Sequence, residues 1–268
     1  MATAFDKVWT GSTDSVWATA TNWSPVNQPT VGQRAMIPAG TPSITCAGMA
    51  DSVLASVYVA PGYTGNIGAS GTRWTSGCTD FIHKGSGKVF MAKGAGATTR
   101  ILVDAAQNGD ALDMLNVATN IHILRGKVTV GGTGTIALIE VGERGSLNDA
   151  ELVVTTGMTI SELRQWSGLS GSQSVITLAT IMGGTCKHES GTAITTAHVG
   201  GGGSALLEYL SNGTITTLRV FKGGRVNALK NRNGIVAITN GYLYPGSQFD
   251  YDPQLTDIDE TAWWDWRN

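Results

Sequence analysis

The sequence predicts an all-β protein. The fold is a right-handed parallel β-helix, or solenoid, with an N-terminal tryptophan-rich cap and an extended C-terminal arm. Three observations predict it. The first is internal repetition. Ile194-Thr195-Thr196-Ala197-His198-Val199 recurs 21 residues later as Ile215-Thr216-Thr217-Leu218-Arg219-Val220, with four of six positions identical. The same shift carries Gly202-Gly203 onto Gly223-Gly224 and Gly213 onto Gly234. A second short run follows in each copy: Leu206-Leu207-Glu208-Tyr209, then Val226-Asn227-Ala228-Leu229. A unit of this length holds two or three short strands and cannot bury its apolar face alone, so it must stack on its neighbours.

The second observation is composition. Charged residues are 14% and glycine is 36 of 268, where ordinary globular chains have roughly a quarter charged residues and about 7% glycine. Low charge with abundant Gly, Thr and Val describes many short strands joined by tight turns. Apolar residues are spread along the whole length, which excludes a disordered Gly-rich linker. The third observation is the run of short β-branched segments between glycines, with the two-residue alternation of strands that bury one face, as in Ile121/Ile123 and Val128/Val130.

In chain order, residues 1–52 form the cap. Trp9, Trp17 and Trp23 cannot lie on one short strand. They fold over the end of the sheet, where a terminal rung would otherwise expose apolar surface and strand edges. A sugar-stacking platform is the alternative, since Trp faces suit pyranose rings. The solenoid spans 53–244 at about 21 residues per rung. Its strands include Val57-Tyr58-Val59, Phe81-Ile82-His83, Val89-Phe90-Met91, Ile101-Leu102-Val103 and Ile121-His122-Ile123-Leu124. Ile82, Ile101 and Ile121 are equivalent positions. Residues 104–116 form a loop or a single helical turn. Further units are Thr135–Val141, Leu152–Val154, Met158–Ile160 and Val175–Ala179; anchor spacing drifts from 16 to 24 and then settles at 21. A β-sandwich or jelly roll would also show short strands at intervals, but not this self-similarity.

From Pro245 the repeat stops, and residues 245–268 form an acidic arm. That arm carries six acids and one arginine, hence −5, against +3 for residues 1–244 (17 basic, 14 acidic). Trp263, Trp264 and Trp266, with Phe249 and Tyr251, are the candidate partner-binding residues, because exposed tryptophan is costly in water and enriched at interface hot spots. The arm docks on another subunit or protein, or folds back over the last rung of its own solenoid.

Net charge is −2, which favours neither nucleic acid nor a membrane surface as a partner. Cys46, Cys78 and Cys186 are odd in number and widely spaced, which fits folding in a reducing cytosol. The opening residues carry no signal-peptide pattern. No catalytic motif stands out: Glu140, Glu143, Asp149, Glu151, Glu162, Glu189 and Glu208 are isolated in sequence, whereas glycoside hydrolysis needs two carboxylates about 5–10 Å apart. Asp250-x-Asp252 and Asp257-x-Asp259-Glu260 lack the EF-hand spacing, and Cys186-x-His188 with His198 lacks zinc-site spacing. The expectation is a non-enzyme without cofactor or metal.

The order Trp9-Thr10-Gly11, Trp17, Asn22-Trp23-Ser24, Pro29, Ala35-Met36-Ile37-Pro38 resembles the opening of many bacterial and phage β-solenoid proteins, over about an eighth of the chain. Where that opening often carries an acidic residue before the short strand, Gln33-Arg34 stand here. The resemblance implies a structural or adhesive role. The expectation is a structural virion protein of a tailed bacteriophage, assembled in the host cytoplasm. It would decorate or cement the capsid through the major capsid protein or another virion protein, as a homotrimer. The alternatives are a tail fibre or tailspike that binds or cleaves glycan, and a bacterial surface adhesin.

Overall fold

The computed structural model describes residues 5–40, 42–50, 52–94, 98–105, 110–117, 119–144, 149–189, 191–201, 204–210, 212–229, 236–254, 256–258 and 263–266. The protein is an all-β parallel solenoid. It divides into two compact units, residues 1–131 and 132–268.

In the first unit the strands are β1 (Lys7–Trp9), β2 (Trp23–Ser24), β3 (Arg34–Ile37), β4 (Val53–Val59), β5 (Gly77–His83), β6 (Val89–Ala92), β7 (Arg100–Asp104), β8 (Asp110–Leu115) and β9 (Asn120–Gly131). β1 runs antiparallel to β2 and parallel to β3. From β3 the sheet continues in parallel through β4, β5, β7 and β9. A second parallel sheet joins β6, β8 and the later half of β9. Single parallel bridges extend it towards the N-terminus at Val16–Thr45, Ile44–Ile67 and Ile67–Val89.

The second unit repeats this plan with more regularity. Its strands are β10 (Gly134–Val141), β11 (Ala150–Val154), β12 (Met158–Gln165), β13 (Leu169–Ser172), β14 (Val175–Ile181), β15 (Gly184–His188), β16 (Ile194–Val199), β17 (Ala205–Tyr209), β18 (Gly213–Val220), β19 (Gly224–Asn227), β20 (Val236–Leu243), β21 (Gln248–Asp250), β22 (Thr256–Ile258) and β23 (Trp263–Asp265). The even-numbered strands from β10 to β20 pair in one parallel sheet. The odd-numbered strands from β11 to β21 pair in another. Each coil is one long strand and one short one.

The long strands are not straight. Their burial runs in-out-out-in-out-in, with two outward residues in succession at 137–138, 161–162, 177–178, 195–196, 216–217 and 239–240. Alternation slips once because the strand turns a corner there. The same slip occurs at 55–56 in β4 and 79–80 in β5.

Inside the second unit, Ile136, Ile160, Ile176, Ile194, Ile215 and Ile238 stack in one column by strand register. All are 0–2% exposed. β-branched side chains suit the pleated strand at χ1, and each fully buried isoleucine contributes about 1.5–3 kcal/mol. A parallel column of Ala35, Val57, Phe81, Ile101 and Ile121 fills the first unit.

The 21-residue repeat is real in register: Ile194 pairs with Ile215 and Val199 with Val220. Four details differ from the sequence reading. Phe81, not Ile82, is the partner of Ile101; Phe81 points inward and Ile82 outward, the face swap that a one-residue slip produces. Leu207, not Leu206, pairs with Val226. Gly213 pairs with Val236, so the 21-residue offset lengthens to 23 in the next coil; Gly202, Gly203 and Gly234 lie outside the described residues. Residues 110–115 form β8 rather than a loop or helical turn, with Leu112 and Met114 buried.

At the N-terminus Trp9, Trp17 and Trp23 are 0–2% exposed and pack edge-on or stacked at 4.6–6.4 Å, joined by Trp74 from further along the chain. No ring face remains for a sugar. Buried Asn22 ties the loop around them. Its Oδ1 accepts from the Thr13 and Asp14 amides at 2.9 and 3.1 Å, and its Nδ2 donates to Asp14 Oδ1 and the Val16 carbonyl at 2.6 and 3.0 Å. Trp23 Nε1 donates to the Trp17 carbonyl at 2.8 Å.

Candidate functional site

The parallel register lines up outward side chains in columns, so a surface feature of one rung is extended by the next. Two outward surfaces stand out.

In the first unit, Val8, Met36, Tyr58, Ile82, Leu102 and His122 align by register. All are half-buried and outward, and Phe5 stacks on Tyr58 at 5.7 Å. This apolar strip has charged borders whose charges are paired. On one side lie Arg34–Asp6 at 3.3 Å and Arg100–Asp80 at 2.8 Å. On the other, Asp104 holds both Lys84 at 3.2 Å and Arg125 at 2.6 Å. Burial opposes ionisation of Asp104, yet the hydrogen bonds from Arg125 and Lys84 hold its carboxyl below the usual carboxylate range. A shallow pocket of about 250 Å³ opens on the strip between Ile82, Leu102 and His122.

In the second unit, two adjacent outward columns carry aromatic side chains. One is His198, Arg219, Tyr242 and Trp264. The other is Phe221, Tyr244 and Trp266, whose amides donate to the carbonyls of Val199, Val220 and Leu243. Tyr242 and Trp264 lie at 4.7 Å and 6° from parallel; Phe221 and Tyr244 stack at 4.9 Å; Tyr244 meets Trp266 at 5.1 Å. The Arg219 guanidinium sits 5.3 Å from the centre of the Tyr242 ring and donates to His198 Nε2 at 3.0 Å. Nε2 is therefore the acceptor and the ring is neutral. Burial and the neighbouring Arg219 both hold the His198 pKa below its ordinary value.

Strand alternation divides the candidate residues of the arm. Trp263 pairs with Gly241 on the inward side, where its ring occupies the space a Cβ on Gly241 would need. It also packs against Phe249 at 5.4 Å. Phe249 is itself buried and pairs with Val226, so the coil continues past Pro245 rather than stopping there. Trp264 and Trp266 face outward at 40% and 45% exposure and extend the aromatic columns. Tyr251 is exposed and stacks on Phe249 at 4.9 Å. Arg219, His198, Tyr242, Tyr244 and Phe221 were missed as surface residues. The signal was present, since His198 and Arg219 hold the same place in the two repeat copies.

The remaining sequence candidates separate. Glu140 and Glu162, isolated in sequence, meet across the rung at Arg164, which binds Glu162 Oε1 at 2.6 Å and Glu140 Oε1 at 3.5 Å. Two carboxylates clamped on one guanidinium form a structural ion pair, unlike the desolvated acid that glycoside hydrolysis uses. Cys186 and His188 point into the core, whereas His198 is outside. All three cysteines are free and buried, and burial pushes the thiols of Cys46 and Cys78 up to about 12 and that of Cys186 to about 11. Asp250 pairs with Arg225 at 2.8 Å; Asp259 and Glu260 lie outside the described residues. Among the described residues no group of three or more His, Cys, Asp or Glu is placed to hold a metal, and no helix is long and apolar enough to cross a membrane. Gly200 and Gly201 make a rung turn at φ +109° and +98°; a Cβ on Gly200 would meet the Phe221 carbonyl at 2.7 Å.

The chain matches no protein-family model, no curated protein and no solved structure.

Proposed function

We propose that this protein is a structural component of a tailed-phage virion, a β-solenoid that decorates or cements the capsid as a homotrimer through contacts with the major capsid protein or another virion protein. The observation that carries the reading is the outward strip of Val8, Met36, Tyr58, Ile82 and Leu102. An apolar centre bordered by polar groups is the anatomy of a protein–protein interface. Here the border charges neutralise one another, so a partner need not supply counter-charges. A rigid flat face also loses little conformational entropy on docking. The tryptophan-rich opening supplies the virion setting by resemblance.

The test is incorporation into purified particles. Wild-type protein is expected at a fixed ratio to the major shell protein. Ile82→Glu with Leu102→Glu places two charges on the strip without touching the core and is expected to abolish incorporation while the purified variant keeps its melting temperature. Full incorporation of that variant, or absence of the wild type from particles, overturns the reading.

A further inference from the structure

Arg219 differs from its neighbours on the outward face. Arg164 and Arg225 in the same unit each hold their own carboxylate. Among the described residues no carboxylate lies within ion-pair distance of Arg219. Its guanidinium is instead held between a neutral His198 and the Tyr242 ring. This fixes the fork in place while leaving its charge uncompensated, at a half-buried position where a charge is less screened than in open water.

Its surroundings have a definite chemistry. One flanking column is aromatic: Phe221, Tyr244 and Trp266. The other is small and polar: Thr196, Thr217 and Asn240, aligned by register. Trp264 is the last member of the central column among the described residues, stacked on Tyr242 and 40% exposed. Tyr242 is covered on its two faces by Arg219 and Trp264, so the exposed indole of Trp264 is the ring that takes the apolar face of a pyranose. Hydroxyl and amide groups exchange hydrogen bonds with its hydroxyls. A fixed guanidinium takes a carboxylate in bidentate fashion.

We propose that the outward face formed by Arg219, Tyr242, Trp264, Thr217 and Asn240 binds an acidic saccharide, with a sugar carboxylate on Arg219 and a sugar ring against Trp264. This inference is independent of the virion reading, which rests on the strip in the first unit.

Titration of the full chain with a galacturonate hexamer, followed by calorimetry and tryptophan fluorescence, tests it. Saturable binding with a Kd on the order of 0.1 mM is expected. Arg219→Gln weakens it by about tenfold or more, and Arg219→Lys, which keeps the charge but loses the fork, by less. Trp264→Ala weakens it about tenfold, while Arg100→Gln, on the other unit, leaves it unchanged. A neutral glucose hexamer binds at least about tenfold more weakly than the acidic one. Absence of saturable binding by the wild type overturns the proposal, as does indifference to both Arg219 variants. A glutamate hexapeptide that binds as tightly, with the same Arg219 dependence, overturns it in favour of an acidic protein partner. Circular dichroism of each variant shows whether it is folded; if Arg219→Gln is not, the Arg219→Lys result decides.

Discussion

Gly241 and Trp263 offer a sharp test of how β23 packs on the coil before it. The inward column Ile139, Leu163, Ala179, Ala197, Leu218 reaches a glycine at 241, and the next position in register is Trp263. The indole lies where a Gly241 Cβ would be, so Gly241→Ala must push the ring away. An indole that buries ~100 Å² contributes about 2–3 kcal/mol at ~25 cal/mol/Å². Trp263→Ala should therefore cost about 2–3 kcal/mol, and Gly241→Ala about the same, because both undock the same ring. The double variant should cost little more than either alone, a coupling of about 2 kcal/mol. Hydrogen exchange of residues 263–266 reads the local opening and denaturant unfolding the global one. The rest of the core, including Ile238 and Leu243, stays intact, so protection elsewhere should change little. Strictly additive costs would refute the packing argument, since additivity means the alanine methyl and the indole do not compete for one space.

Two further perturbations follow from buried polar groups. Asn22→Ala leaves the Thr13 and Asp14 amides without the acceptor they share and removes one of two donors to the Val16 carbonyl, which keeps the Thr19 amide at 3.1 Å, for a loss of roughly 2–3 kcal/mol; thermal unfolding that is unchanged by the substitution would remove Asn22 as the tie of the tryptophan loop. His83 is 0% exposed, its Nε2–H donates to the Gly87 carbonyl at 2.9 Å, and burial lowers its pKa to about 4. The unfolded chain binds the proton from about pH 6.5 downward while the folded chain resists it. Stability is thus complete above pH 6.5 and falls between there and pH 4, by up to about 3 kcal/mol. His188, held by the Thr192 carbonyl at 3.0 Å and also lowered by burial, acts in the same direction. His83→Gln, which can still donate to Gly87, should flatten part of this acid limb in denaturation curves measured from pH 7 to 4.

Much of the fold was legible because stacking leaves a chemical trace. Ile194 and Ile215 occupy one column and face one environment, so the sequence repeats where the structure does. What escaped was register at the single-residue level. The corner in each long strand puts two outward residues together, which breaks the period of two that marks a strand and makes Ile82 look equivalent to Ile101. Residues 110–115 hide for another reason: Asp110 and Asp113 read as loop, but they face outward and pair with Lys88 at 3.1 and 3.7 Å. On the candidate surface, the three tryptophans of the arm were visible as a group. Their division into one inward-facing, half-buried residue and two exposed residues needed the pairing with β20. The repeat marks only His198 and Arg219 of the aromatic columns; the other members lie about 22 residues apart and meet only through register.

The isoleucine column has an implication for how such a chain can change length. Its members are 24, 16, 18, 21 and 23 residues apart, yet they occupy one line. All of that variation is absorbed where the chain turns between strands, and none of it reaches the interior. Insertions and deletions at those turns are therefore nearly neutral for the core, whereas a single residue added inside a strand inverts every side chain beyond it. A lineage built this way can lengthen its loops, acquire new side chains at the corners and duplicate whole coils, provided each coil brings one isoleucine to the line. The molecule behaves less like a sealed globule than like a rack, in which the fixing points are standard and the fittings are free to differ.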